Sequence, residues 1–331
     1  MLSTPFDPFD AAITNKTSAP AIYNGTDPRI LNLSYSSLLT LHSCPRKFQL
    51  QKLGSVKETQ ESQSDSVTFS YGHCVGEGIQ LALEGHSLEH IYWRLFLQWK
   101  PELFADNPKQ NKSFATAIFA VQKFIAMRSE GYLDGYSLVT YQNKPACELS
   151  FIIHLPGGYK YRGFVDAVLQ HVESGKVVVL ECKTSSATTL NPATYKNSAQ
   201  AIGYSIVLDA IFPALSSYEV IYLVYSTKEY SYEQLVFAKS YAQRARWIKE
   251  LVLDVELIGS YESNDLYPLH GESCYSYFRE CEYMNLCQMS TDKLALTLTA
   301  DALSIIEKTN SDYQIHITLS DLIHSQLAKT S

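Results

Sequence analysis

Asp166, Glu181 and Lys183 are the side chains of this 331-residue chain whose types and spacing suit chemistry. Glu181 and Lys183 flank one residue in Leu180-Glu181-Cys182-Lys183-Thr184, directly after the apolar run Val177-Val178-Val179-Leu180. Strand side chains alternate, so Glu181 and Lys183 share a face and Cys182 takes the other. Asp166 sits late in the preceding apolar segment, Gly163-Phe164-Val165-Asp166-Ala167-Val168. If the two strands are antiparallel neighbours, Asp166 lies beside Glu181, and two carboxylates and an ammonium converge at one end of a sheet. Mg²⁺ and Mn²⁺ are hard cations that take such oxygens and keep several waters. A cation held there would activate a water and stabilise a pentavalent phosphate, with Lys183 orienting the water or offsetting charge. A D…ExK pattern alone is common and usually marks a salt bridge at a strand end. The apolar run before it, and a glycine at 163 that permits close approach of a ligand, set this one apart.

The elements that must position these residues follow from periodicity. Segments 146–155, 159–170 and 176–182 alternate or run apolar, separated by Pro156-Gly157-Gly158 and Glu173-Ser174-Gly175, which predicts a three-stranded meander. Helical periodicity covers 72–99, 112–130, 194–211 and 239–258, with strands at 218–226 and 232–238 between the last two. Ser34 is placed as an N-cap before Tyr35, Leu38, Leu39 and Leu41, and Pro45 interrupts that helix. Helical patterns also occur near 300–308 and 319–328. Pro5, Pro8, Pro20 and Pro28 punctuate residues 1–30, a loosely ordered arm. The expected fold is mixed α/β (α+β), a central mixed sheet flanked by helices. No GxGxxG or Walker A pattern is present, which disfavours nucleotide-cofactor folds.

Three ordered motifs carry a family resemblance. Gly163-Phe164-Val165-Asp166, then Glu181-Cys182-Lys183-Thr184, then Gln200-Ala201-Ile202-Gly203-Tyr204 resemble the G-x-x-D, (D/E)-x-K-T and Q-x-x-x-Y motifs of the PD-(D/E)XK nuclease superfamily, in its RecB-like and CRISPR-associated exonuclease branch. The resemblance spans about residues 34–290 and implies a restriction-endonuclease-like core. It makes Asp166, Glu181 and the Cys182 backbone carbonyl metal ligands and Lys183 the catalytic lysine. Gln200 and Tyr204, four apart and on one helix face, would support the site or contact DNA. The branch carries a histidine ligand in a G-x-x-x-H pattern on an earlier helix. Here Gly76 falls in that place, so His73, three residues earlier, and Glu77 are the substitutes. Glu148, at the start of the first meander strand, is an acidic candidate that reads first as an edge-strand carboxylate.

Cysteines form a second constellation. Cys274, Cys281 and Cys287 are spaced C-x6-C-x5-C, and Cys44 lies far upstream. Four thiolates suit one Zn²⁺ or one iron–sulfur cluster. The family resemblance implies a structural 4Fe–4S cluster, since Ser34 through Leu38 leads to Cys44-Pro45-Arg46-Lys47-Phe48 as in cluster-bearing RecB-like nucleases; Zn²⁺ is the alternative. The x6 gap departs from the family's tighter spacing. Cys74, Cys147 and Cys182 read as small packed residues.

A sequence-tolerant nuclease needs phosphate contacts more than base contacts. Arg46 and Lys47, and Arg244 and Arg246 on a predicted helix, are the candidate nucleic-acid contacts. The net charge of −7 argues against a sequence-blind coat protein. With hydrophobic residues at 46 % and charged at 18 %, the composition is globular, and no apolar run is long enough for a membrane span. The first residues lack a basic n-region and an apolar h-region, so the expectation is a cytoplasmic protein whose cysteines bind metal or pack. The expected organisation is an arm (1–30), a single nuclease domain (31–290) and an extension (291–331). Within the domain fall a helical insert about 72–131, a catalytic core about 146–258 and the cysteine cluster 274–287. The function expected is a metal-dependent DNA exonuclease of recombination, repair or processing, acting on single strands or free ends, with a recombination or replication protein as partner. The alternative is an inactive nucleic-acid-binding or assembly module on the same fold, favoured by the off-register histidine and opposed by the intact D…ExK set.

Overall fold

The computed structural model describes residues 32–52, 67–99, 111–187, 189–264, 266–276, 279–287 and 313–330. The arm at 1–30 and the helical pattern at 300–308 lie outside them. The chain forms two compact units. One draws on Met1–Glu58, Leu155–Tyr161 and Leu251–Asp312, and the other on Thr59–His154, Arg162–Glu250 and Tyr313–Ser331.

The first unit opens with α1 (Tyr35–Ser43), capped by Ser34, whose Oγ accepts the Ser37 N–H while Ser37 returns the bond. Pro45 opens α2 (Pro45–Lys52) at the position where its missing N–H costs nothing. The Arg46 N–H donates to the Pro268 carbonyl, and the Ser43 carbonyl is bonded by His270 and Ser273 side chains. These contacts tie the early helices to the segment holding the late cysteines.

The second unit begins with α3 (Val67–Leu83) and α4 (Leu88–Gln98). A continuous helical period predicts one helix here, and the structure has two. Gly85 takes φ +81 after α3, and Ser87 Oγ caps α4 by accepting the His90 N–H. Helix α5 (Phe114–Ser129) starts at a Ser113–Thr116 capping box. The meander follows as β1 (Cys147–His154), β2 (Lys160–His171) and β3 (Val177–Ser185). The predicted helix at 194–211 is divided into a short turn of helix at Pro192–Lys196, α6 (Ala199–Gly203) and α7 (Ser205–Ile211). Strands β4 (Ser217–Ser226) and β5 (Ser231–Ser240) come next, then the long α8 (Tyr241–Ser263). The chain returns as β6 (Ile315–Thr318) and α9 (Leu319–Thr330).

The sheet order is β6-β1-β2-β3-β4-β5. Pairing is antiparallel for β2–β3 and β4–β5, and parallel for β3–β4 and β6–β1. The sheet is therefore mixed, as the sequence predicts, and helices cover it. Val177, Val178, Val179 and Leu180 of β3 are all buried, as their unbroken apolar run requires. One face packs on α3, α4 and α5 through Val75, Ile79, Leu95, Val121 and Phe124. Gly78 lets α3 and α5 approach, since a Cβ there would lie 2.4 Å from Val121. Gly163 does the same inside the sheet, where a Cβ would meet the buried Phe151 ring at 2.5 Å.

The parallel edge strand β6 has no counterpart in the sequence reading. It pairs Ile315 to Thr318 with Phe151 to His154, and Gln314 bonds both the N–H and Oγ of Ser150. Helix α9 is held by charge. Arg244, read from sequence as a nucleic-acid contact, is completely buried. Its guanidinium pairs with Asp209 and donates to Gln326 Oε1 (2.9 Å) and Ser325 Oγ (3.1 Å), while Lys329 reaches Asp209 at 3.2 Å. A buried guanidinium presents nothing to a phosphate, so that assignment is corrected to a structural one. Among the described residues no helix is long and apolar enough to cross a membrane.

Three outcomes follow for stability. Arg244→Ala removes the guanidinium while Asp209 keeps Lys329, Ser325 and Tyr241, and urea denaturation should show a loss of about 1–3 kcal/mol. Burial raises the Asp209 pKa, but Ser325, Arg244 and Lys329 outweigh it and the net shift is downward. A depressed carboxylate contributes stability above its unfolded pKa and loses it as pH falls through the folded value. Wild type should weaken below about pH 4, and Asp209→Asn should lack that component of the acid slope. Separately, Gly163→Ala should destabilise by about 1–3 kcal/mol through overpacking, with Phe151→Leu restoring part of it.

Candidate active site

The antiparallel register of β2 and β3 runs from Gln170–Val177 to Ala167–Leu180. One step further, Asp166 Oδ2 accepts the backbone N–H of Cys182 at 2.8 Å. The carboxylate thus takes the N–H that the next rung would have used, and it lies beside Glu181 and Lys183. Glu181 is buried to 1 % exposure at the end of an apolar strand, a position a carboxylate tolerates only with partners. It has two: Tyr204 donates its phenol to Oε2, and the Lys183 ammonium pairs with Oε1. Oε1 accepts no hydrogen bond of good geometry among the described residues. Lys183 also donates to Gln200 Oε1 at 3.3 Å.

The crossover from β3 to β4 positions Gln200 and Tyr204. Tyr204 joins α6 to α7 with helical backbone angles, so the helix face carrying both residues survives the division of the predicted helix. Gly203 packs near Trp247 and Phe151, and Tyr218 donates to the Ala201 carbonyl at 2.8 Å. These contacts fix the crossover against the sheet.

Electrostatics shows negative charge in excess. Burial and then Glu181 push the Asp166 carboxyl well above the usual range, against the pull of Lys183 and the Cys182 N–H. Burial alone would lower Lys183, but Glu181 and Asp166 outweigh it and hold its proton more tightly than usual. Burial, Glu181 and Asp166 raise the Tyr204 phenol. Glu148 is raised by burial, Glu181 and Glu77. Clustered carboxylates that resist ionising fit a divalent cation. Among the described residues, no three His, Cys, Asp or Glu side chains close a metal cage by themselves. Asp166, Glu181 and the Cys182 carbonyl would be joined by water, as Mg²⁺ prefers.

The site opens into a cavity of about 970 Å³, lined by Asp166, Glu181, Lys183 and Gln200 and by one face of α3. His73 and Glu77 both line it. His73 is exposed and meets the Phe69 ring edge-on at 4.3 Å, while Glu77 is engaged by Arg94 at 2.9 Å. Glu148 lines it as well, which sequence reasoning discounted. Its backbone has φ +46, a left-handed conformation within a strand. Nothing in the residue types around 148 announces that kink. Arg94 was missed altogether, since a lone arginine on an amphipathic helix carries no signal.

Other candidates lie elsewhere. Arg46 is buried and donates to Gln49, so it is not presented to a nucleic acid. Lys47 is half-buried. Arg246 is exposed and pairs with Glu250 one turn on. The four proposed cluster cysteines belong to the first unit. The Cys281 N–H donates to the Cys274 carbonyl at 2.7 Å, next to the antiparallel pairs Tyr275–Glu280 and Ser276–Arg279. Burial raises the Cys287 thiol, and so do Cys281, Cys44 and Cys274, against Arg46. Those thiols are free rather than disulfide-bonded. Cys74 and Cys147 are buried in the second unit, as small packed residues.

Comparison with solved structures gives distant likenesses. A Eubacterium rectale protein named "putative exonuclease" matches at 13 % identity and TM-score 0.46, over 82 % of this chain and 98 % of that one. A protein named SSO0001 matches at 13 % identity and TM-score 0.28, over 77 % and 98 %. Likenesses this weak add nothing to the assignment. No curated protein is similar enough to match the chain. A family model is decisive instead: that of the PD-(D/E)XK nuclease superfamily matches residues 32–288, which include both strands bearing Asp166, Glu181 and Lys183 and the helix turn bearing Gln200 and Tyr204. With most of its length inside that match, the chain belongs to the PD-(D/E)XK nuclease superfamily.

Proposed function

We propose that the protein is a cytoplasmic, Mg²⁺- or Mn²⁺-dependent DNA exonuclease of recombination, repair or DNA processing, acting on single strands or free ends. The observation that carries the nuclease reading is the convergence of Asp166, Glu181 and Lys183 at the floor of an open cavity. A cation held by Asp166, Glu181 and the Cys182 carbonyl would supply a water of lowered pKa and positive charge at the phosphate. Lys183 adds an ammonium where charge develops in the transition state. Gln200 fixes that ammonium by accepting from Nζ, and Tyr204 fixes Glu181 by donating to Oε2. The exonuclease activity and the preference for ends follow from the sequence resemblance to the RecB-like branch.

We propose further that Cys44, Cys274, Cys281 and Cys287 hold a 4Fe–4S cluster, with Zn²⁺ as the alternative. Four thiolates are the donor set such a cluster takes. The cysteine spacing and the sequence resemblance carry this reading; among the described residues no three of these thiols are grouped as a metal cage. The cluster would be structural, with no part in hydrolysis.

Asp166→Ala, Glu181→Gln and Lys183→Ala should each lower cleavage of end-labelled single-stranded DNA by about a hundredfold to ten-thousandfold, with unchanged circular dichroism. Full activity in all three would sink the reading. Internal cuts without release of terminal nucleotides would replace exonuclease by endonuclease. Protein purified without oxygen should contain iron and sulfide, and Cys287→Ser should lose both along with thermal stability. Zinc without iron would overturn the cluster and leave the nuclease proposal intact.

A further inference from the structure

We infer that Arg94 binds a substrate phosphate at the wall of the cavity, and that Glu77 holds it ready until substrate arrives. The inference rests on the nuclease reading above, because it takes the ligand to be a phosphodiester chain.

The cavity wall is acidic. Among the described residues, Glu77, Glu84, Glu148, Asp166 and Glu181 line it, against Lys183 and Arg94. Lys183 is engaged at the floor with Glu181 and Gln200. A polyanion entering such a cavity is repelled unless each phosphate flanking the reacting one meets a cation. Arg94 stands on α4, a different element from the catalytic strands, so it can receive a phosphate other than the scissile one.

Its present partner makes exchange easy. Nε and NH2 of Arg94 both meet Glu77 Oε1, at 3.1 and 2.9 Å. The Arg94 side chain is 51 % exposed. Glu77 is 18 % exposed, so water reaches the pair mainly at the guanidinium, and that open end is where a phosphate can compete for it. Two N–H donors aimed in one direction form the fork that takes two oxygens of one phosphate. The helix under them is firm. Ile91 and Leu95 of α4 are buried in the core and Ser87 caps its start, so exchange moves a side chain and leaves the backbone in place. Glu77 neutralises the guanidinium while the cavity is empty and competes with phosphate for it afterwards. This gives Glu77 a role opposite in sign to that of a metal ligand.

The test is anisotropy of a fluorescein-labelled oligothymidylate with Ca²⁺ in place of Mg²⁺, titrated against salt, for wild type, Arg94→Ala, Arg94→Lys and Glu77→Gln. Cleavage with Mg²⁺ is measured in parallel. Arg94→Ala should weaken binding about tenfold at low salt and reduce the slope of log K against log salt by about 0.7, the value for one single-strand phosphate contact. It should raise KM while kcat changes little. Arg94→Lys should keep the slope and recover part of the affinity. Glu77→Gln should tighten binding about threefold. Unchanged affinity and slope in Arg94→Ala, or weaker binding in Glu77→Gln, overturns the inference. A wild type that binds without cleaving overturns the nuclease reading and leaves the Arg94 result to stand on binding alone. A wild type that binds no oligonucleotide overturns both.

Discussion

A carboxylate buried at the end of an apolar strand is the constraint on which the rest of the sheet-bearing unit depends. Glu181 sits at 1 % exposure, directly after Val177 to Leu180. Strand β3 must be covered on both faces to bury that run, and the covering elements then surround Glu181 as well. An uncompensated charge there would cost several kcal/mol. The surroundings accordingly supply an ammonium from the same strand and a phenol from the crossover. Both partners carry out positioning that catalysis would need, so the stability requirement and the chemical requirement select the same residues.

The same constraint explains the crossover. A parallel pair such as β3 and β4 needs a connection that leaves the sheet and returns. Here that connection passes over the carboxylate and places Gln200 and Tyr204 on it. The helix is broken around Gly203, whose neighbours are Trp247 and Phe151, and Tyr204 keeps helical angles at the joint. The break therefore costs the site nothing, because the two functional side chains lie one turn apart across a nearly continuous helical backbone.

How far the sequence discloses this depends on whether a residue acts through periodicity or through geometry. The alternation of a strand places Glu181 with Lys183, and turn signals fix the meander, so the sheet and the carboxylate–lysine group are legible from residue types alone. Glu148 is not, since its approach to the cavity depends on a left-handed kink at φ +46 that its neighbours do not announce. Arg94 and Glu77 meet across two helices, 17 residues apart, a contact that exists only after α3 and α4 are folded back on one another. That fold-back was itself concealed by a shared helical period, although Gly85 and Ser87 are its signals. Arg244 shows the converse error. A basic residue on an amphipathic helix reads as solvated until a carboxylate is found opposite, and Asp209 lies 35 positions away.

Charge also limits how this enzyme meets its substrate. The chain carries −7 overall, and the cavity wall concentrates carboxylates. Long-range attraction of a polyanion is therefore weak, and recognition depends on contacts made after entry. Such contacts are sharper discriminators than a broad positive field, since a cation at one point rewards a phosphate only at the matching point. The chain topology of the cysteine unit serves a different end. Its side-chain hydrogen bonds to the Ser43 carbonyl already close loops of 227 and 230 residues, from His270 and Ser273. Closure entropy grows only as the logarithm of loop length, so a few hydrogen bonds and a small apolar cluster around Leu50, Tyr283 and Leu286 can hold that closure in the folded protein. A metal centre on the four thiols would stabilise the same closure further by binding only the state in which those distant segments have met.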